Sequence, residues 1–156
     1  MNFLLYEPGD IVLIKNLTFK DEHSHDLRIH GRPSLIIHTN EENFYFLTIS
    51  KNKSYIDHPL KYYELYRDSI NRLTIDKSYI NLQNIYKDVN RSLVPLGSIR
   101  ENQFDSLLKK LVLYQLDVKK DELFDELIDM NVLPSLTLKI SSSRKSDWNS
   151  ITFIIY

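Results

Sequence analysis

The chain has 156 residues, 42% of them apolar, which is enough to build one domain around a single core. Its 20 basic and 21 acidic residues leave a formal net charge of -1, which argues against a protein that coats nucleic acid without specificity. The absence of cysteine excludes disulfides, thiolate catalysis and cysteine-ligated zinc. No apolar run approaches the roughly 20 residues of a membrane span, so we expect a soluble, unprocessed cytoplasmic protein.

The first third of the chain reads as short strands. Residues 10–15 predict a strand, and the charged segment 16–31 predicts a long loop, of a length that is often functional. Segments 33–39 and 43–50 are rich in β-branched and aromatic residues and are separated by Asn40-Glu41-Glu42. This pattern predicts a hairpin at the centre of a sheet.

The rest of the chain predicts one more strand, two helices and a final strand pair. Residues 79–88 alternate as a half-buried strand does. Ser98-Ile-Arg-Glu101 has the spacing of a capping box, and apolar residues follow it at helical intervals. Residues 121–130 repeat the helical pattern, and segments 135–140 and 151–156 predict strands around a serine-rich turn. We therefore expect a single α+β domain over residues 1–156.

Arg32 and Ser50 are the leading candidates for a functional site. Arg32 precedes Pro33, whose ring favours extended backbone in the residue before it, so the arginine should project from a defined strand entrance. A guanidinium held in this way is suited to a phosphate. Ser50 and Thr48, at the end of the next strand, can donate hydrogen bonds to the same group. The alternative is a structural Arg32 paired with a carboxylate such as Asp10.

Basic and aromatic residues follow Ser50. Lys51, Lys53 and Tyr55 begin a cluster that continues through further tyrosines to residue 66. Such clusters stack unpaired bases and hold phosphates, and we expect these residues to bind RNA. The alternative is that about half of the tyrosines pack in the core or at its rim.

Histidines supply the candidates for proton transfer. Histidine ordinarily titrates near neutral pH, whereas a guanidinium is a poor base there, so His30, close to Arg32, and His58, in the segment after Ser50, are the candidates. We also expect both histidines to contact the RNA. His23 and His25 lack a convincing third ligand. We therefore expect neither a metal nor another cofactor.

The order of these motifs resembles that of the MazF and PemK family of bacterial toxins, small endoribonucleases that cut single-stranded RNA. The resemblance covers about residues 9–115. It rests on five motifs: Gly9-Asp10-Ile-Val, Gly31-Arg32-Pro33 with the apolar strand after it, Leu47-Thr-Ile-Ser50, the segment from Ser78 to Tyr86, and Leu96-Gly-Ser98 at the opening of a helix.

This resemblance implies a fold and an activity. The fold is a small MazF-like (SH3-like) antiparallel β-barrel with helices packed at its side and a C-terminal extension over residues 116–156. The activity is sequence-specific and metal-independent cleavage of RNA, with Arg32, Ser50 and Thr48 as catalytic residues. Because the 2′-hydroxyl of RNA is the nucleophile, the expected products carry a 2′,3′-cyclic phosphate and a 5′-hydroxyl.

The chain also resembles the ToxN and CptN toxins, which share the MazF-like core and approach this length. Thr48-Ile-Ser50-Lys51 is similar to the Thr-Ser-Pro-Lys segment of ToxN. This branch implies inhibition by a folded RNA pseudoknot, whereas the ordinary MazF branch implies a protein antitoxin; the expected assembly is a homodimer or a toxin–antitoxin hetero-oligomer. The residues alone leave open a noncatalytic RNA-binding module and a protein-interaction domain in which Arg32 is structural.

Overall fold

The computed structural model describes residues 6–15, 17–20, 26–29, 31–51, 61–117, 121–134, 136–139 and 152–155. Eleven strands and two helices lie within them. In chain order they are β1 (Asp10–Ile14), β2 (Leu17–Lys20), β3 (Asp26–Ile29), β4 (Arg32–Thr39), β5 (Asn43–Ser50), β6 (Tyr62–Tyr66), β7 (Lys77–Asn81), β8 (Tyr86–Val89), β9 (Val94–Ser98), α1 (Glu101–Asp117), α2 (Glu122–Asp129), β10 (Leu136–Lys139) and β11 (Thr152–Ile155).

Seven strands form one antiparallel sheet in the order β6-β7-β5-β4-β1-β9, with β8 also paired to β5. The α+β class is confirmed, but within the described residues the sheet is not closed into the predicted barrel. Its terminal strands β6 and β9 do not share a ladder there. A backbone hydrogen bond of 3.1 Å, from the N–H of Ser98 to the carbonyl of Ile70, joins β9 to the turn after β6 instead.

The central strands of this sheet are buried on both faces. The main core includes Tyr45 and Leu47 of β5 and packs the sheet against both helices. The second core lies on the opposite face and consists of Tyr6, Val12, Ile14, Ile36, Phe44 and Phe46. Burial on both sides explains why β4 and β5 read as nearly continuous apolar runs rather than as alternating strands.

The strand predictions were right for β1 and for the β4–β5 hairpin, did not include β6 or β9, and were wrong in two other places. The predicted loop 16–31 contains a hairpin, because β2 pairs with β3. The single strand predicted over 79–88 is two strands, β7 and β8. They separate because β7 pairs with Ile49 and Ser50, at the end of β5, whereas β8 pairs with the start of β5 from Asn43.

Both predicted helices are confirmed, but the predicted capping box is wrong. Ser98 ends β9, where it pairs with Asp10 in β1, and α1 begins only at Glu101, so Arg100 rather than Ser98 precedes the first residue of the helix. The backbone N–H of Arg100 instead donates to the side-chain Oε1 of Gln103 at 3.1 Å. α1 buries the apolar residues that define its helical periodicity: Leu107, Leu108, Leu111 and Val112.

The second helix belongs to the same core as the sheet. Asp121 caps α2 by accepting a hydrogen bond of 2.9 Å from the backbone N–H of Leu123. Phe124 and Leu127, both within the predicted C-terminal extension, are buried in the main core. The predicted strands 135–140 and 151–156 are confirmed as β10 and β11, which pair with each other. Neither described helix is both long and apolar enough to cross a membrane.

Candidate functional site

A cleft of about 260 Å³ opens where β4 begins and β5 ends. One wall comes from these two strand ends, and a second wall comes from the turn between β6 and β7 and from β7 itself, the strand that pairs with the end of β5. The lining residues are Gly31, Arg32, Pro33, Ile49, Ser50, Lys51, Leu73, Thr74, Ile75 and Ser78. The cleft thus brings together three of the residues that the sequence nominated: Arg32, Ser50 and Lys51.

The strand register accounts for the meeting of Arg32 and Ser50. Across β4 and β5, Ile36 pairs with Phe46 and Ser34 pairs with Thr48. Continuing this register by two residues places Arg32 opposite Ser50. Alternate residues of a strand share a face, so these three cross-strand pairs lie on the same face of the sheet. Towards the cleft they change from an apolar pair to a pair of hydroxyl residues and then to Arg32 with Ser50.

Arg32 is half-buried at this strand end. Burial raises the pKa of the Tyr86 hydroxyl, and the positive charge of Arg32 opposes that shift. The salt bridges found within the described part of the chain do not include Arg32. The Asp10 carboxylate, its suggested structural partner, accepts a hydrogen bond of 2.9 Å from the backbone N–H of Glu7.

Thr48 lies behind the cleft rather than in it. Its exposed fraction is 4%, and its register partner Ser34 is fully buried. The Ser34 hydroxyl donates to the backbone carbonyl of Arg32 at 3.3 Å. The buried pair of Ser34 and Thr48 therefore supports the strand end that carries Arg32. Thr48 itself is not among the residues that line the cleft.

Lys51 is exposed at the rim of the cleft, directly after β5. The other predicted RNA-binding residues, His30, Lys53, Tyr55 and His58, lie outside the described residues. The histidine pair at 23 and 25 also lies outside them.

Next to the cleft, the outer side of β6 and β7 carries tyrosine and lysine side chains; we call this surface, formed by Tyr62, Glu64, Tyr66, Lys77 and Tyr79, the β6–β7 face. It adjoins the cleft because Tyr79 pairs with Ser50. Tyr66 is 59% exposed. Tyr63 points the other way and packs against the main core, as the alternative interpretation of the tyrosines anticipated for some of them.

Lys77 organises this face. Its Nζ lies 5.4 Å from the ring centroid of Tyr66 and 5.6 Å from that of Tyr79, within the range of cation–π attraction. The same Nζ lies 3.3 Å from Oε1 of Glu64, and this hydrogen bond raises the pKa of Lys77. The face therefore carries a lysine ammonium, ion-paired with Glu64, beside an exposed aromatic ring.

Sequence reasoning did not assign Thr74 and Ser78, the polar residues of the second wall, to the site. Ser78 is 4% exposed and lies in β7, where it pairs with Leu65. Thr74 is exposed in the turn. Ser78 opens one of the motifs that carry the resemblance, but only the pairing of β7 with the end of β5 brings it to the cleft.

Asn71 holds the turn that carries this wall. The side chain is fully buried. Its Nδ2 donates to the carbonyl of Tyr66 at 2.7 Å, and its Oδ1 accepts from the backbone N–H groups of Asp68 at 3.2 Å and Leu73 at 3.1 Å. Gly97 of β9 packs directly against the Asn71 backbone, so close that a Cβ there would overlap it. The wall is therefore rigidly placed.

Asp68 strengthens the same turn. Its carboxylate accepts from the backbone N–H groups of Asn71 at 2.7 Å and Ile70 at 2.8 Å, and it lies 3.3 Å from Nε of Arg100. These backbone hydrogen bonds, with a smaller contribution from Arg100, hold the pKa of Asp68 below its ordinary range. The turn is thus tied to the segment that leads into α1.

Among the described residues, no group of three or more His, Asp or Glu side chains is placed to hold a metal ion. Arg32, Ser50 and Lys51 all line the cleft, and a guanidinium, a hydroxyl and an ammonium can each donate hydrogen bonds to an anion. No protein-family model matches the chain, and no curated protein is significantly similar to it in sequence.

Proposed function

We propose that this chain is a metal-independent, sequence-specific endoribonuclease, the toxin of a bacterial toxin–antitoxin system, with a MazF-like site. The observation that carries the proposal is the convergence of Arg32, Ser50 and Lys51 on one cleft. These residues were nominated from motifs that resemble those of the MazF and PemK family, and they come from two strand ends rather than from one local segment.

The chemistry assigned to the cleft is transfer of a phosphodiester onto the neighbouring 2′-hydroxyl. The oxygen of that hydroxyl attacks phosphorus, the bond to the 5′-oxygen breaks, and a proton passes to the leaving oxygen. The products are a 2′,3′-cyclic phosphate and a 5′-hydroxyl. Arg32 and Ser50 would donate hydrogen bonds to the non-bridging oxygens, where negative charge accumulates. We assign proton transfer to His30 and His58, because histidine is the side chain that ordinarily titrates near neutral pH.

The β6–β7 face supports a single-stranded RNA substrate. An exposed tyrosine beside a lysine suits an unpaired base next to a phosphate, because stacking needs only the π-face of the base. This face begins where the cleft ends, since Tyr79 neighbours Ser50. RNA leaving the cleft would therefore meet Tyr66 and Lys77.

An antitoxin that masks this site is part of the proposal. We favour a folded RNA pseudoknot, since the features that suit the substrate, Lys51 at the rim and Lys77 on the β6–β7 face, also suit a second RNA. A protein antitoxin is the alternative, and the two differ in how their affinity responds to salt.

The test compares purified wild-type protein with Arg32→Ala and Ser50→Ala on unstructured RNA in EDTA. We expect each substitution to reduce the cleavage rate by at least about 100-fold, the usual cost of removing a preorganised donor to a transition-state oxyanion. Lys109→Ala and Ser106→Ala are matched controls, because both residues are exposed on α1 and lie outside the cleft lining. They should cleave like the wild type.

A substrate with a 2′-methoxy group at the scissile nucleotide should resist cleavage, because it lacks the attacking hydroxyl. Cleavage of that substrate would identify water as the nucleophile and contradict the proposed reaction. Full activity of a folded Arg32→Ala variant would remove Arg32 from the mechanism. Tight binding of RNA without any cleavage would favour the noncatalytic RNA-binding module.

A further inference from the structure

We propose that the wall formed by Leu73, Thr74, Ile75 and Ser78 is a subsite for one unpaired nucleobase, and that this subsite selects the base next to the phosphate held by Arg32. The proposal deepens the proposed function, because it assigns base selection to residues that the sequence analysis did not assign to the site. The subsite is defined by which nucleotide binds, however, so it is tested by measuring nucleotide binding rather than RNA cleavage.

The two walls of the cleft differ in chemistry. Arg32, Ser50 and Lys51 form a cationic, hydroxyl-bearing wall that suits a phosphate. The second wall offers two apolar side chains, Leu73 and Ile75, and the hydroxyls of Thr74 and Ser78 from the same stretch of chain. A nucleotide has the same division, with an anionic phosphate at one end and an apolar-faced base with a polar edge at the other.

The hydroxyls of this wall are suited to reading a base edge. Ser78 is 4% exposed yet lines the cleft, so a ligand group that contacts it is shielded from water. A hydrogen bond in such a place discriminates strongly, because a base with the wrong edge leaves a polar group unpaired. Since a hydroxyl both donates and accepts, Ser78 and Thr74 can pair with either kind of edge atom.

Ile75 supplies the apolar contact at the mouth of the subsite. Its side chain is 39% exposed and follows Thr74 in the cleft lining, so it offers apolar surface that a base can cover. Leu73 lies deeper, 8% exposed and continuous with the main core. A base placed between them would cover apolar surface without disturbing the core.

The wall is held in place before any ligand arrives. Asn71 bonds the backbone N–H of Leu73, and Arg67 fixes the far end of the turn through a salt bridge of 2.7 Å to Asp76. The backbone N–H of Arg67 also donates to the carbonyl of Asp76 at 2.9 Å. A preorganised wall loses little entropy on binding and cannot adapt to every base, which favours selection.

The cleft is small. Small-molecule sites usually measure roughly 300–1,000 Å³. At about 260 Å³ the cleft lies just below that range, and this size suits one base and its phosphate better than a base pair.

The experiment is calorimetric titration of the whole protein with each of the four nucleoside 5′-monophosphates and with ribose 5-phosphate, which lacks a base. We expect at least one nucleotide to bind about 10-fold or more tightly than ribose 5-phosphate. Ser78→Ala and Thr74→Val should each reduce that preference about 5-fold, the worth of one net hydrogen bond, without changing the affinity for ribose 5-phosphate. Arg32→Ala should weaken every ligand alike, and Ser106→Ala should change none.

Three results would overturn the subsite. The four nucleotides could bind no better than ribose 5-phosphate, the wall variants could keep the wild-type preference, or Ser78→Ala could weaken ribose 5-phosphate as much as the nucleotides, which would assign Ser78 to the phosphate. Circular dichroism confirms that each variant is folded. Base-selective binding by a protein that cleaves no RNA would support the subsite and reject the endoribonuclease, so the two failures are distinguishable.

Discussion

Replacing Asn71 by alanine would remove the side chain that fixes the turn between β6 and β7. The amide is fully buried and makes three hydrogen bonds to backbone groups of that turn. Alanine keeps the Cβ and the backbone N–H, so the substitution deletes the amide alone. The turn also receives the backbone hydrogen bond from Ser98, which ties β9 to it.

The expected loss follows from those three hydrogen bonds. Each is worth about 1 kcal/mol net when its partners can regain water, and more when they cannot. The N–H of Leu73 is buried, whereas the hydrogen bonds to Tyr66 and Asp68 are only partly so, which lets water replace some of the loss. We therefore expect Asn71→Ala to lower the free energy of unfolding by about 3 kcal/mol.

Urea denaturation followed by circular dichroism measures this quantity, with Asn102→Ala as the matched control. Asn102 is exposed at the start of α1, so its substitution should change stability by no more than about 0.5 kcal/mol. A loss below about 1 kcal/mol for Asn71→Ala, at an unchanged denaturant slope, would refute the role given to its amide. The same variant should also reduce base-selective binding more than binding of ribose 5-phosphate.

Three further predictions concern packing, pH and the partner. Gly97→Ala would place a Cβ 2.7 Å from the carbonyl oxygen of Ile70 and nearer still to that of Asn71, so urea denaturation should show a loss of about 1–3 kcal/mol; an unchanged midpoint would contradict the close packing. Burial lowers the pKa of His38, so the unfolded chain binds more protons, and stability should be full above about pH 6.5 and decline below it. His38→Gln should flatten that decline. If the wild type and His38→Gln showed the same dependence of stability on pH, burial of His38 would not be its cause. An RNA antitoxin should dissociate steeply as salt rises, and Lys51→Glu with Lys53→Glu should abolish both its binding and substrate cleavage; native purification of a stoichiometric small protein without RNA would instead indicate the ordinary MazF branch.

The elements that the sequence predicted are those whose signal is local. α1 shows the helical repeat of Leu107, Leu111 and their neighbours, and the β4–β5 hairpin has a polar turn between two apolar runs. The capping box failed because its signal was local too: Ser98 has the right spacing from Glu101, but pairing with Asp10 in β1 keeps it in a strand.

The sequence by itself also nominated one wall of the cleft, because Arg32 before a proline and Ser50 at a strand end are features of single segments. Only the tertiary structure decided the other wall. Thr74 and Ser78 reach the cleft because β7 pairs with the last two residues of β5. Because β7 pairs with the end of β5 and β8 pairs with its start, residues 79–88 belong to two strands rather than to the single strand predicted. Antiparallel pairing joins residues that are far apart in the chain, and its register depends on which faces of the partner strands are buried, which no single segment reveals.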